Sequence, residues 1–140
     1  MSELIVVLVT GSRNWRDVET FDTALEMIRK QHPDTTRWVI RHGDCPSGAD
    51  QLAETWAIAH GVTTDKMPAD WAHGGRRAGF VRNQAMVSKD PPPAVCLAFI
   101  AQCVKRGCQK PKPHGSHGSV DCSTRAEEAK VATWRWRQGW

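Results

Sequence analysis

Short apolar runs of strand length alternate along this chain with stretches whose apolar residues recur at helical spacing. Residues 4–9, "LIVVLV", are continuously apolar, as in a strand buried on both faces. Residues 17–30 carry Val18, Phe21, Ala24, Leu25 and Ile28 at helical spacing. Residues 38–41 read as a second strand. Residues 49–60 read as a second helix, with Leu52, Ala53, Trp56 and Ala59 on one face and Gly61 as its stop. Residues 62–67 are a weaker third strand, "PADWAHGGRR" a loop, and residues 78–88 a helix ended by "KDPPP". Residues 94–100 are a fourth, strongly apolar strand; residues 119–130 look helical, and residues 133–136 form a short last strand. This order calls for an α/β fold: a Rossmann-like three-layer sandwich with a mostly parallel sheet and right-handed crossovers. One domain spans 1–140, with an irregular insert at about 101–118 and no internal repeat.

The turns after the strands are unusually rich in Gly and small polar residues. They are "TGSR" (Thr10 to Arg13), "GDCPSGAD" (Gly43 to Asp50) and "SHGS" (Ser116 to Ser119). In a parallel sheet such turns gather on one edge, and each leads into a helix start, where free N–H groups and the helix dipole favour anions. Gly11, Gly43, Gly48 and Gly118 would let a phosphate approach the backbone closely. Ser12, Arg13, Ser47 and Ser119 can add donors. Plain turns and caps also use these residue types, but three such turns on one edge point to a phosphate-bearing ligand. There is no G-x-G-x-x-G and no Walker lysine motif, which argues against a dinucleotide oxidoreductase or a P-loop ATPase. Cys45 has no specified His-Asp partner and reads as a structural thiol.

Taken in order, "TGSR", "HGDCPSGAD", "ADWAHGGRRAGFVRNQAM" and "SHGS" resemble the YspA-like branch of the SLOG superfamily, from Val7 to about Lys130. That superfamily also includes the DNA-processing protein DprA and the LONELY GUY hydrolases. The resemblance implies a Rossmann-like fold that binds a nucleotide or nucleotide-derived ligand. It implies that Asp44 faces a sugar or base, and that the segment with Trp71, Arg76, Arg82 and Asn83 closes over the ligand. Asp50 falls in the first turn of a helix, where a carboxylate also has a purely stabilising role. LONELY GUY hydrolases cleave the N-glycosidic bond of a nucleoside monophosphate with an arginine in an "R-K-x-x-M"-like helix and a glutamate after "G-G-x-G-T". Here "RNQAM" puts Arg82 at the arginine position and "SHGSVD" puts Asp121 near the acid position, the catalytic pair that the resemblance implies. The chain departs from that pattern. Ser116-His117 replaces Gly-Gly, Ser119 replaces Thr, and Asp121 is shorter than Glu.

The insert holds Cys103, Cys108 and His114, with His117 and Cys122 close behind. Tetrahedral zinc takes four such ligands. Cys103, Cys108 and His114 are the best three, with Cys122 or His117 as the fourth, although the spacings are not those of common zinc fingers. His117 reads equally as a ligand-facing residue of "SHGS".

The net charge of +4 divides unevenly, with −4 over residues 1–70 (7 basic, 11 acidic) and +8 over residues 71–140 (12 basic, 4 acidic). The basic half permits a nucleic-acid partner. The tail "TWRWRQGW" reads as an edge strand with Trp134 and Trp136 on one face. Five cysteines without an export signal suggest reduced thiols in a cytoplasm, and no apolar run approaches a membrane span. The first expectation is a nucleotide-ligand sensor or sequestering protein, with pairing into a homo-oligomer suggested by the resemblance. The second is an N-glycosidic hydrolase, and the third is a DprA-like binder of single-stranded nucleic acid.

Overall fold

The computed structural model describes residues 3–140. Strand β1 (Leu4–Gly11) leads into α1 (Val18–Lys30), then β2 (Arg37–His42), α2 (Ala49–His60) and β3 (Thr63–Lys66). A one-turn helix α3 (Trp71–Gly74) and a 3-10 turn (Gly75–Arg77) precede α4 (Ala78–Ser88). Strand β4 (Val95–Ala101), α5 (His117–Glu128) and β5 (Ala132–Gln138) complete the order. The five strands run in the order β3-β2-β1-β4-β5, and every pair is parallel. A parallel pair needs a crossover, and the helices supply it. Near-continuous apolar β1 and β4 occupy the centre because both their faces are covered.

Two apolar cores make the layers. On one face, Val7, Val9, Leu97 and Phe99 of the sheet meet Phe21, Leu25 and Ile28 of α1 and Ala53 and Trp56 of α2. Phe99 is the hub, with ring centroids of Phe21, Trp136 and Trp15 at 4.6, 5.0 and 5.4 Å. On the other face, Leu8 and Cys96 meet Met86 and Val87 of α4 and Cys122 and Ala126 of α5. The sandwich is therefore three-layered, and its sheet is wholly parallel.

Three local expectations change. The "PADWAHGGRR" loop contains a helical turn, because Asp70 caps it by accepting the His73 amide at 3.2 Å. Helix α5 begins at His117, two residues earlier than its apolar pattern shows. The last strand is longer than residues 133–136, and only one of its tryptophans packs: Trp136 stacks on Phe99, while Trp134 is half exposed.

Arg41, the last residue of the strand expected over 38–41, is a fully buried tie between layers. Its guanidinium donates to Asp65 at 2.9 Å and to the carbonyls of Met86, Pro91 and Lys89 at 2.8, 3.0 and 3.2 Å. The charge sits at the carboxyl end of α4, where the dipole favours a cation. Burial pulls the Asp65 carboxyl upward, and Lys89 and Arg41 outweigh it, so the group lies below its ordinary value. A carboxyl depressed in this way adds stability above its unfolded pKa, and that stability fades below about pH 4. Replacing Arg41 takes the donor from three carbonyls and leaves Asp65 with Lys89 alone, at 2.9 Å. Arg41→Met should lower unfolding free energy by about 3 kcal/mol, measured by urea titration at pH 7. A loss below about 1 kcal/mol would show that the buried network does not hold β2, β3 and α4 together.

Candidate ligand site at the carboxyl edge of the sheet

Strand order reverses at β1, whose neighbours β2 and β4 lead their chains in opposite directions across the sheet. At such a switch point the strand-to-helix turns part and leave a crevice. Gly11 and Ser12 stand there, at the end of β1. The Ser12 hydroxyl, buried, accepts the Ala101 amide at 2.8 Å. It also bonds to the hydroxyls of Ser116 and of Ser119, the latter at 3.2 Å, and Ser116 and Ser119 are 2.8 Å apart. Three serines from turns over a hundred residues apart thus form one hydroxyl cluster.

The second turn locks onto the first. Gly48 lies in the left-handed region at φ 75°, and a Cβ there would stand 2.1 Å from the Ser12 carbonyl oxygen. The Ala49 amide donates to that carbonyl at 3.3 Å, and the Ser47 hydroxyl donates to the Arg13 carbonyl at 3.1 Å. Ser47 is therefore a cross-turn tie and does not cap α2. Neither α2 nor α5 has a side-chain cap at its start; with the Ala49 amide taken by Ser12, the amides of Asp50 and Gln51 in α2 and of His117 to Ser119 in α5 are left without a partner among the described residues. Helix α1 differs, because the Asp17 carboxylate accepts the Thr20 amide at 3.0 Å.

Asp44 adopts φ 58°, a left-handed conformation that is uncommon for a residue with a side chain. His42 holds it there. The Asp44 amide donates to His42 Nδ1 at 3.0 Å, and His42 Nε2 donates to Glu54 at 2.8 Å. Those partners fix the neutral tautomer. The His42 bond lowers the Glu54 carboxyl below its ordinary value. Asp44 itself is exposed, and its carboxylate has no hydrogen-bond partner among the described residues.

Asp50 is buried, and its carboxylate accepts the Cys45 amide at 3.2 Å, which closes the turn. Burial pushes that carboxyl above its ordinary value, against pulls from Cys45, His42 and Arg82. Burial and the Asp50 charge push the Cys45 thiol upward as well, which suits a structural thiol and not a nucleophile. Gly43 is squeezed between these groups, since a Cβ would meet Arg82 Nη1 at 2.3 Å and Asp50 at 3.0 Å.

Arg82 and Asp121 do not touch directly in this network. Arg82 donates to the carbonyls of Gly43 and Met67 at 2.7 and 3.3 Å and to Asn83 Oδ1 at 3.0 Å. Asn83 Nδ2 passes the link to Asp121 at 3.0 Å and to the Gly118 carbonyl at 3.2 Å. Arg125 also holds Asp121, at 2.8 Å. Arg13 and Arg76 are exposed cations without a salt-bridge partner among the described residues. Trp71 is half exposed, with its ring laid against Gly79.

The insert brings four ligand-type atoms together: Cys103 Sγ, Cys108 Sγ, His114 Nε2 and His117 Nε2 lie within 4.8 Å of one another, a group that could hold a metal ion. His117 is the fourth member. Cys122 is not, because it lies on the buried face of α5 in the second core, where burial pushes its thiol to about 11. A thiol held protonated there is unsuited to metal ligation. Burial, then Lys110, Lys105 and His114, hold the His117 imidazole below its ordinary value.

Sequence reasoning missed His42, Glu54, Arg125 and Gln138. Gln138 closes the edge from the far side: its carbonyl oxygen accepts the Arg16 and Asp17 amides at 2.7 and 3.0 Å, and its amide donates to Asn14 at 3.2 Å. Arg125 stands four residues after Asp121 on a helix, a spacing that could have revealed the pair. No spacing signal links His42 to Glu54 or Gln138 to Arg16.

Fold and edge together define a domain of Rossmann type, with its chemistry gathered over the carboxyl ends of parallel strands. The chain belongs to the YspA, cpYpsA-related SLOG family, whose model matches residues 5–74. Gene 61 protein of Mycobacterium phage D29 is 39% identical over 98 residues, which cover 66% of this chain and 74% of that protein. That name states no activity. No solved structure matches the chain significantly. Family membership suggests nucleotide-related ligand binding in general. No helix among the described residues is long and apolar enough to cross a membrane.

The left-handed Asp44 yields a direct test. Glycine adopts that backbone freely, so Asp44→Gly should leave stability unchanged or raise it by up to about 1 kcal/mol in urea unfolding. A loss above about 1 kcal/mol would mean that the Asp44 side chain is part of the framework and not a group kept for a ligand.

Proposed function

We propose that the chain binds a nucleotide-derived ligand over the carboxyl edge of the sheet, as a sensor or sequestering protein. The observation that carries this reading is the convergence of two uncapped helix starts, α2 and α5, on the Ser12–Ser116–Ser119 cluster. Amide groups and hydroxyls so placed suit the oxygens of a phosphate, and Arg13 beside them supplies a free cation. Asp44, exposed and held in a left-handed turn, suits a ribose hydroxyl or an amino group of a base. Trp71 and Arg76 lie exposed on α3 and the 3-10 turn after it, and in this reading that segment closes over the ligand. The same reading places zinc in the Cys/His group of the insert, a cytoplasmic setting for its thiols, and pairing of two copies through exposed Phe80 and Val81 on α4.

The hydrolase alternative has less behind it. Arg82 is committed to backbone carbonyls, and Asp121 has one oxygen, Oδ2, tied to both Asn83 and Arg125, which leaves only Oδ1 for a ribose. Single-stranded nucleic acid would need the basic second half, which the hydroxyl cluster does not explain.

Thermal shifts with nucleoside mono-, di- and triphosphates, ADP-ribose and cyclic nucleotides test the reading. At least one ligand should raise the melting temperature, and chromatography should return it unchanged. In Arg13→Ala, affinity for that ligand should fall about tenfold with the unliganded melting temperature unmoved. A free base among the products would turn the assignment to hydrolysis. No shift with any of these ligands would remove the nucleotide reading.

A further inference from the structure

Four of the six separations among the ligand atoms of the insert match those of a tetrahedral zinc site, and the other two lie within 4.8 Å. With zinc–sulfur bonds near 2.3 Å and zinc–nitrogen bonds near 2.05 Å, tetrahedral angles put sulfur and nitrogen about 3.5 Å apart and two nitrogens about 3.3 Å apart. Cys103 Sγ lies 3.6 Å from His117 Nε2, and Cys108 Sγ lies 3.4 Å from both His114 Nε2 and His117 Nε2. The two Nε2 atoms are 3.3 Å apart. His114 Nδ1 donates to the Pro111 carbonyl at 2.9 Å, which leaves Nε2 with its lone pair toward the cluster. Two thiolates and two imidazoles are a donor set for zinc and a poor one for magnesium or calcium.

The ligands also connect to the edge described above. His117 is the first residue of α5, between Ser116 and Ser119. The Cys103 amide donates to the His114 carbonyl at 2.7 Å, and the Ser116 amide to the Ala101 carbonyl at 3.0 Å, so the insert leaves and re-enters the sheet at one point. Gly115 threads between them with no spare room, since a Cβ would stand 2.6 Å from Ile100 and 3.0 Å from Val120. A ligand atom on His117 therefore has little freedom to move without moving Ser116.

We propose that Cys103, Cys108, His114 and His117 bind a zinc ion, and that this ion fixes the Ser116–Ser119 limb of the ligand edge. The insert is otherwise short of apolar contacts, and its Lys105, Arg106, Lys110 and Lys112 repel one another. Two thiolates balance the charge of the ion and tie that basic loop down. The effect on ligand binding rests on the reading of the edge as a nucleotide site; the metal site and its hold on Ser116 do not.

The test uses the full chain purified without chelator. Metal analysis should find one zinc per chain. Cobalt(II) exchanged into the site should give the intense visible bands of tetrahedral coordination with a thiolate charge-transfer band in the near ultraviolet. Hydrogen exchange of the peptide covering residues 101–119 should speed at least tenfold after zinc is stripped, and added zinc should restore protection. Cys108→Ser and His114→Ala should show the fast exchange with or without zinc. Should either variant fail to fold, stripping and reloading the native chain decides alone. Absence of bound zinc, or an octahedral cobalt spectrum, would overturn the site. Unchanged exchange at Ser116–Ser119 after zinc loss would overturn the coupling. Neither readout involves a nucleotide, so failure of the nucleotide reading would leave both results standing.

Discussion

The upper edge of this sheet depends on the missing side chain of Gly48. Its backbone runs at φ 75°, so close to the first turn that a methyl group would stand 2.1 Å from the Ser12 carbonyl and 2.6 Å from Arg13 Cα. Without that approach, the Ala49 amide and the Ser47 hydroxyl could not reach the first turn. Gly11 makes the matching concession on the other side, where a Cβ would meet Ala49 at 2.4 Å and the Phe99 carbonyl at 2.6 Å. Interlocked in this way, the two turns present Ser12 at one fixed point, and the third turn builds onto its hydroxyl.

Polar groups at the edge divide into those that hold the frame and those left over. Asp50, Asn83, Arg82, His42 and Glu54 all have protein partners and shape the turns. The amides of Asp50 and Gln51 in α2 and of His117 to Ser119 in α5, the carboxylate of Asp44 and the guanidinium of Arg13 have none among the described residues. A binding surface needs both kinds: satisfied groups give rigidity, and unsatisfied ones give a ligand something to replace water with. That division favours binding over an Arg82–Asp121 reaction, because Arg82 is spent on the frame and Asp121 Oδ2 is tied to it.

The layered fold was legible because hydrophobic periodicity is a direct record of burial. Strands β1 and β4 are covered on both faces and read as unbroken apolar runs; α1 shows its stripe of Phe21, Ala24, Leu25 and Ile28. Strand β3, "TTDK", gives a weak signal because it is an edge strand with one neighbour and little burial. The glycine and serine turns were legible as a group, since their residue types announce close backbone approach. Individual partners were not. Arg41 looks like any strand-end arginine until the fold brings Met86, Lys89 and Pro91 around it. Choosing between His117 and Cys122 as the fourth metal-type ligand required the start of α5, which points one into the insert and the other into the core.

The most direct measurement of the central claim is an amide chemical-shift map of the zinc-loaded chain titrated with ADP-ribose and with nucleoside phosphates. Shifts should concentrate on residues 11–13, 43–50 and 116–119, in all three turns together. Shifts confined to the exposed face of α4 around Phe80 and Val81, or no shifts with any of these ligands, would contradict that claim.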